Sequence, residues 1–265
     1  MMHSRSHLWL LVPIMLIATL SAACSRPGAD SRAGNSQAAA TPGQTPVVSA
    51  DQPPIVGSSI IRGSIHFTGN PPAASSTSDT PHPDNCTSAS HPSLGIVVNS
   101  NHTLKNVVIY LSNPPRPAPP AASADVLLDQ TNCQYQPHVV ALRTGQNLHI
   151  RSSDNMPHNV HLLCQANAPQ NFGMLKAGDF QDISFANPEI FTARCDVHSW
   201  MSAVVAVFDH PWFAVSAADG SFQIDRVPAG EFTLVAWQET LPAQTLSITV
   251  PDSGVTNSDF TFAMP

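Results

Sequence analysis

The chain has 265 residues, enough for one or two domains with a substantial core. Only 11% of the residues are charged and 42% are hydrophobic, which excludes an intrinsically disordered chain. A formal net charge of −7 argues against binding to phosphate backbones, so we expect no nucleic-acid partner. The 25 prolines and 13 glycines, without helix-period patterning, predict many short strands joined by turns.

Residues 1–23 predict a signal peptide. Their apolar run is too short for a transmembrane helix and ends in "LSAAC", with small residues directly before Cys24. This ending resembles the lipobox of bacterial lipoproteins, which implies that Cys24 is lipidated and anchors the chain to a membrane. The alternative is an ordinary secretory signal that is cleaved near the same place. Both interpretations place the protein in the periplasm or cell envelope, which is an oxidising compartment.

The remainder of the chain divides into four segments by composition and pattern. Residues 24–55 are small, polar and rich in proline, and they predict the lipidated cysteine followed by a flexible linker. Residues 56–125 predict an N-terminal β segment that contains "SSIIRGSIHFTG" and "KNVVIYLS". Residues 126–208 carry closely spaced strands and predict an all-β sandwich. Residues 209–265 repeat strand, turn and strand, and they predict a second, smaller β-sandwich.

The strand "MSAVVAVF" at residues 201–208 is apolar on both of its alternating faces. An antiparallel strand with one face in water alternates apolar and polar residues, so this strand should be covered on both sides. We therefore expect the C-terminal unit to pack closely on the larger sandwich.

The pattern C-x2-H-x2-M, formed by Cys195, His198 and Met201, is the strongest sign of chemistry in the chain. It lies between the strands "EIFTAR" and "MSAVVAVF", so a tight loop can direct a thiolate, an imidazole and a thioether toward one point. Together with a second histidine, these ligands suit blue copper. Zinc would require four strong ligands and gains little from methionine.

His158, in "DNMPHNVH", is the candidate for the second histidine. Val160 and Leu162 share its face of the predicted strand, so the imidazole should point toward the interior of the sandwich. His161 lies on the opposite face and is not predicted as a ligand.

The segments "MPHNVH" and "CDVHSWM" resemble the copper-binding segments of cupredoxins, and the short ligand loop is most similar to that of amicyanin and its relatives. The resemblance covers about residues 126–208 and implies a cupredoxin Greek-key sandwich with one type 1 copper ion. It makes His158, Cys195 and His198 the trigonal ligands and Met201 the axial ligand. A binuclear centre would need a second cysteine in the loop, where this chain has a serine.

The same resemblance implies roles for two residues beside the ligands. Asn159 resembles the asparagine that ties the two ligand segments together by hydrogen bonds, which orient ligands and tune the metal. Asp196 stands where many relatives have serine or threonine, and this departure leaves the nature of that bond open. A carboxylate beside the thiolate should also favour Cu(II) and lower the reduction potential.

The other cysteines are not predicted as ligands. Cys86 and Cys133 lie in polar, loop-like surroundings and are candidates for a disulfide that joins the N-terminal segment to the copper unit. Cys164 lies on the apolar face of its strand and is predicted to be a buried free thiol. Three further histidines are not assigned to a site: His138, His149 and His210.

The stretch "DGSFQIDRVPAGEFTLVAW" at residues 219–237 resembles carboxypeptidase regulatory-like, transthyretin-like modules. That resemblance implies a packing or docking element, and the sequence contains no metalloprotease or serine-nucleophile motif. Relatives often have Trp-His-Glu where this chain has Trp237, Gln238 and Glu239, so we assign no function to the triplet.

We therefore expect an exported protein that carries single electrons between protein redox partners and is not an enzyme. Trp200, next to His198, is a candidate for part of an apolar docking patch. One alternative is a copper carrier or storage protein, although the seven methionines form no methionine-rich tract. The other alternative is a cupredoxin-fold module with a purely structural role.

Overall fold

Strands dominate the secondary structure of this protein wherever the structure describes it. A computed structural model describes residues 53–71, 86 and 94–264, and within these ranges no residue lies in an α-helix. The all-β prediction is therefore confirmed. The strands are β1 (Ser58–Thr68), β2 (Val97–Val98), β3 (Leu104–Lys105), β4 (Val108–Leu111), β5 (Val126–Thr131), β6 (Gln134–Gln136), β7 (Val139–Arg143), β8 (Asn147–Ser152), β9 (His158–Leu162), β10 (Gln170–Met174), β11 (Phe180–Ser184), β12 (Glu189–Arg194), β13 (Ser202–Phe208), β14 (Phe213–Val215), β15 (Ser221–Val227), β16 (Gly230–Trp237), β17 (Gln244–Val250), β18 (Ser253–Asn257) and β19 (Phe260–Ala263).

The predicted signal peptide, the predicted lipidation site Cys24 and nearly all of the predicted linker lie outside the described residues. Across the ranges that are described, no helix is both long enough and apolar enough to cross a membrane. All described residues belong to one compact unit.

Residues 126–208 form a two-sheet sandwich, the copper sandwich of the sequence prediction. One sheet has the order β10-β9-β12-β13-β7 and the other has the order β11-β8-β5-β6. Alternate residues of these strands point inward because side chains along a strand alternate between its two faces. The core between the sheets contains Leu128, Tyr135, Leu142, Leu148, Ile150, Val160, Leu162, Phe191, Ala203, Val205 and Val207.

A second sandwich consists of sheets β14-β4-β16-β17 and β15-β1-β18, with β19 also paired to β1, while β2 and β3 form a separate two-stranded sheet. This arrangement differs from the predicted division, because residues 56–125 and 209–265 share both sheets instead of forming separate units. The copper sandwich is inserted between β4 and β14. The parallel pairing Ser58↔Ser253 shows why the local pattern could not predict this: the two strands lie at opposite ends of the described chain.

The two sandwiches meet at β13, whose burial confirms the expectation of a strand covered on both sides. Every residue of β13 after Ser202 is buried. One face joins the core of the copper sandwich, while Val204, Ala206 and Phe208 pack against Val108 of β4. Fully burying a valine-sized side chain contributes about 1.5–3 kcal/mol, so this contact stabilises the two sandwiches as one body.

Cys86 and Cys133 are joined by a disulfide with a Cα–Cα distance of 5.8 Å. The bond ties the segment before β2 to the turn between β5 and β6. Cys164 is a buried free thiol, and burial together with the nearby charge of Glu189 raises its pKa to about 11. It is therefore protonated, and a poor nucleophile, at neutral pH.

Candidate metal centre

The loop between β12 and β13 carries three of the predicted ligands. Its backbone closes on itself: the Cys195 N–H donates to the Met201 carbonyl at 3.0 Å, and the Met201 N–H donates to the His198 carbonyl at 2.9 Å. These two bonds fold the loop tightly, so the side chains of Cys195 and His198 approach each other at one edge of the sheet.

His158 reaches the same edge from the neighbouring strand. β9 is antiparallel to β12, with Arg194 opposite His161, so the beginning of β9 lies beside the ligand loop. Burial along β9 alternates as its sequence predicts, with His158, Val160 and Leu162 inside. The imidazole of His158 therefore points into the copper sandwich, while that of His161 points away.

The donor atoms of His158, Cys195 and His198 all lie within 4.8 Å of one another, and the three residues are buried. Nδ1 of His158 is 3.0 Å from Nδ1 of His198, and Sγ of Cys195 is 3.8 Å from the same nitrogen of His198. Metal bonds as long as those of zinc, about 2.0–2.3 Å, would separate trigonal nitrogens by about 3.5 Å and nitrogen from sulfur by about 3.8 Å. The three donors therefore fit one metal ion after small movements of the imidazoles.

Met201 lies in the same core and is only 1% exposed. A thioether in this position suits a soft, weak ligand, because methionine sulfur is uncharged and polarisable. Two imidazoles, one thiolate and one thioether form a donor set that favours copper over magnesium or calcium, which prefer oxygen.

The Cys195 thiol is prepared to act as a thiolate. Burial alone would raise its pKa, but hydrogen bonds from His158 and from the backbone N–H groups of Asn159, His198 and Val197 outweigh burial and lower it. The Asn159 N–H donates directly to Sγ at 3.5 Å. Because the thiolate is the form that binds metals, these donors favour metal binding by Cys195.

Asp154 orients His158, a role that the sequence analysis did not assign. One carboxylate oxygen lies 3.0 Å from Nε2 of His158, so it accepts that N–H and leaves Nδ1 to face the other donors. The same carboxylate accepts the backbone N–H groups of Asn132 and Cys133, each at 2.8 Å. Asp154 thus connects the first predicted ligand to the turn that carries the disulfide. The available signal was its spacing, four residues before His158.

Asn159 and Asp196 tie the two ligand segments together. The Asp196 N–H donates to Oδ1 of Asn159 at 2.5 Å, and Nδ2 of Asn159 donates to the Asp196 carboxylate at 3.1 Å. The hydrogen bond between the two ligand segments is therefore present although position 196 is Asp instead of Ser or Thr. Asn171, which sequence reasoning missed, donates to the same carboxylate at 3.0 Å.

The Asp196 carboxylate points away from the thiolate toward solvent-exposed partners. His161 lies 3.0 Å from it and Arg194 donates to it at 2.9 Å. The bond to His161 is the main reason that the pKa of Asp196 falls to about 2, and the amides of Asn171 and Asn159 lower it further. His161, which is not among the predicted ligands, therefore belongs to this surface network.

Tyr135 supports the site from below. Its hydroxyl donates to the Asn159 carbonyl at 2.8 Å, and Gln130 Nε2 donates to the same carbonyl at 3.2 Å. Both side chains are fully buried, so these bonds fix the start of β9 from inside the core. Nothing in the local sequence pattern indicates this role, which depends on the packing of β5 and β6 beneath β9.

Trp200 is half-buried and hydrogen-bonded. Its ring centre lies 5.2 Å from that of His198, and Nε1 donates to the Cys133 carbonyl at 3.0 Å. Val197, in the same loop, is 45% exposed. The use of Trp200 by a partner stays a prediction.

The chain shows local structural likeness to copper proteins, although no protein-family model and no curated protein matches it. A copper-containing nitrite reductase from Thermus scotoductus SA-01 is 18% identical with a TM-score of 0.31, and the match covers 37% of this chain and 25% of that one. A reduced tryptophan-to-tyrosine variant of amicyanin is 20% identical with a TM-score of 0.30, covering 33% of this chain and 85% of that one. A methionine-to-alanine amicyanin variant with Cu(I) is 18% identical with a TM-score of 0.30, covering 38% and 98%.

This chain thus spans about a quarter of the nitrite reductase and most of amicyanin. None of these matches supports the carboxypeptidase regulatory-like resemblance of the C-terminal segment, which stays a prediction.

Proposed function

We propose that this protein binds one copper ion as a type 1 centre and carries single electrons between protein redox partners. The observation that carries the proposal is the convergence of His158 Nδ1, Cys195 Sγ and His198 Nδ1 at one buried point. Met201, which is buried in the same core, is the proposed axial ligand. Copper bound there supplies a one-electron couple between Cu(I) and Cu(II).

The protein contributes hydrogen bonds that hold the proposed ligands near one another. Asp154 holds His158 by its second ring nitrogen, Asn159 and Asp196 hold the ligand loop to β9, and the loop closes on itself through Met201. Such partners orient ligands and tune a metal site. Ligands that do not rearrange suit electron transfer, because both oxidation states then share nearly the same coordination. The burial of all four side chains excludes water from the site.

The proposal includes export and attachment to the cell envelope through Cys24. The Cys86–Cys133 disulfide supports the export part, because disulfides persist in oxidising compartments such as the periplasm. The proposal also includes that the protein is an electron carrier and not an enzyme.

The visible spectrum of residues 25–265 with one equivalent of Cu(II) tests the metal site. We expect an intense band near the red end of the visible range, from thiolate-to-copper charge transfer, and we expect its loss in Cys195→Ser. Cys164→Ser is the matched control because Cys164 is the other free cysteine among the described residues and lies outside the site. A colourless wild-type protein, or a band that survives in Cys195→Ser, would refute the type 1 assignment.

Redox cycling separates electron transfer from copper delivery. We expect the copper-bound protein to be reduced and reoxidised repeatedly in the presence of a Cu(I) chelator without losing its colour on reoxidation. Loss of the ion to the chelator on first reduction would favour a copper carrier instead.

A further inference from the structure

His138 lies at the contact between the two sandwiches, directly before β7, and its side chain is 3% exposed. Its Nδ1 is 3.1 Å from the Ser202 carbonyl, and its Nε2 is 2.6 Å from a carboxylate oxygen of Glu239. Ser202 follows Met201, the proposed axial ligand, while Glu239 follows β16 of the second sandwich. One imidazole therefore links the second sandwich to the end of the ligand loop.

Both ring nitrogens of His138 face oxygen atoms that accept hydrogen bonds. The Ser202 carbonyl has no proton to give, so Nδ1 must donate to it. Nε2 lies 2.6 Å from a carboxylate oxygen of Glu239, so one proton is held between these two atoms. The ring is consequently held at both ends, and a side chain of the second sandwich determines where it sits.

Hydrogen bonds of the neighbouring residue hold the turn that carries Glu239. The neighbouring Gln238 is buried, and its side-chain oxygen accepts the N–H groups of Thr240 and Leu241 at 2.7 and 2.8 Å. Its side-chain nitrogen donates to the Gly95 carbonyl. Gln238 thus fixes the turn that presents Glu239 to His138.

The peptide backbone on either side of Met201 is anchored by different parts of the protein. Within the loop, the Met201 N–H donates to the His198 carbonyl, and the Met201 carbonyl accepts the Cys195 N–H. On the other side, Nδ1 of His138 donates to the Ser202 carbonyl at 3.1 Å, and the His138 carbonyl accepts the Val204 N–H at 2.8 Å. A movement of His138 would therefore move the backbone that carries Met201.

We propose that Glu239 and His138 are positioning residues through which the second sandwich sets the position of Met201 and so the reduction potential of the copper. The inference rests on the proposed function, since it assigns Met201 as the axial ligand. The axial ligand of such a site tunes its reduction potential. The second sandwich would then help to set the reduction potential and would be more than a docking element.

The test compares Glu239→Ala and Glu239→Gln with Glu231→Ala in the copper-bound protein. Glu231 is an exposed residue of β16 and serves as the matched control. We expect all three variants to keep the charge-transfer band. In Glu239→Ala the Cu(I)/Cu(II) ratio at a fixed poise should change about tenfold, equivalent to about 59 mV for one electron, with a smaller change in Glu239→Gln. The control should match the wild type.

A second readout needs no metal. The NMR signal of the Met201 methyl group in the metal-free protein should shift in Glu239→Ala and remain unchanged in Glu231→Ala. If Glu239→Ala does not fold, Glu239→Gln alone decides both readouts. Lower stability with an unchanged reduction potential and an unchanged methyl signal would overturn the proposal, because that pattern means a merely structural role. If the wild type shows no charge-transfer band, the proposed function fails while the methyl signal still tests the link.

Discussion

The two ends of the ligand loop are held in different ways. At the Cys195 end, Asn159, Asp196 and His161 form a hydrogen-bonded network at the surface. At the Met201 end, His138 and Glu239 form a largely buried contact that comes from the other sandwich. Exposed ion pairs contribute little because water and salt screen them, whereas buried polar pairs are strong and costly to break. The proposed thiolate ligand thus has an exposed support from its own sandwich, and the proposed axial ligand has a buried support from the other sandwich.

His158 lies on β9 and not on the ligand loop. Removing the Asp154 carboxylate that supports it should have the largest effect. In Asp154→Ala, His158 loses the acceptor of its Nε2 proton, and the N–H groups of Asn132 and Cys133 lose theirs. We expect the free energy of unfolding to fall by about 3 kcal/mol and copper affinity to fall about 10–100-fold. Urea unfolding and a competitive copper titration measure these changes. Wild-type affinity in a folded Asp154→Ala protein would show that His158 needs no such partner.

Acid should destabilise the protein through His210, whose ring centre lies 5.4 Å from that of Phe208 at the contact between the sandwiches. Burial is the main cause that lowers the pKa of His210 from 6.5 to about 4; the charges of Arg116 and Arg143 lower it as well, and that of Asp209 opposes the shift. Below pH 6.5 the unfolded chain takes up a proton at His210 that the folded protein does not, so stability should fall until about pH 4. The loss should be about 2–3 kcal/mol.

Unfolding measured across this pH range in wild type and His210→Asn checks that prediction. Asparagine retains an acceptor for the backbone N–H of Trp212, which donates to Nδ1 of His210 at 3.2 Å. The variant should lose less stability between pH 6.5 and 4 than the wild type. Asp196 makes the opposite contribution: its lowered pKa gives stability that is present above its ordinary pKa of 3.8 and lost only as the pH falls toward 2. Equal pH dependence in wild type and variant would exclude His210 as the cause.

The Cys195 end can be loosened selectively by Asn159→Ala. This variant loses the side-chain bonds to Asp196 but retains the backbone N–H that donates to the Cys195 sulfur. We expect a decrease in stability of about 1 kcal/mol and a broadened charge-transfer band, with the thiolate bond intact. Thermal unfolding and the visible spectrum test this expectation, and Asn155→Ala serves as a nearby asparagine control.

Asp196→Ser should have the smallest effect. The sequence led us to expect that this carboxylate lowers the reduction potential, but in the structure it is paired with His161 and Arg194 and exposed to water. We therefore expect the potential to rise by less than about 59 mV, a tenfold change for one electron. A potentiometric titration decides between the two sizes of effect. A larger rise would mean that the charge reaches the thiolate despite its partners.

Local sequence was enough to predict the ligand-bearing part of the fold. Apolar alternation placed His158 on the inner face of β9, and the spacing of Cys195, His198 and Met201 placed three donor side chains on one tight loop. The strand at residues 201–208 is apolar on both faces, and this pattern predicted that both faces would be covered. These features depend on the period of a strand and on the reach of a short loop, both of which are visible within about ten residues.

Only the tertiary structure decided how distant segments meet. The pairing of β1 with β18 and β19, which makes the copper sandwich an insertion in the second one, leaves no local trace because strand partners are chosen by long-range packing. The same holds for Glu239 beside His138, which lie about a hundred positions apart in the chain. The sequence by itself identified the side chains that we propose as copper ligands. The fold decided which residues hold them, because a hydrogen bond depends on proximity in space and not on spacing along the chain.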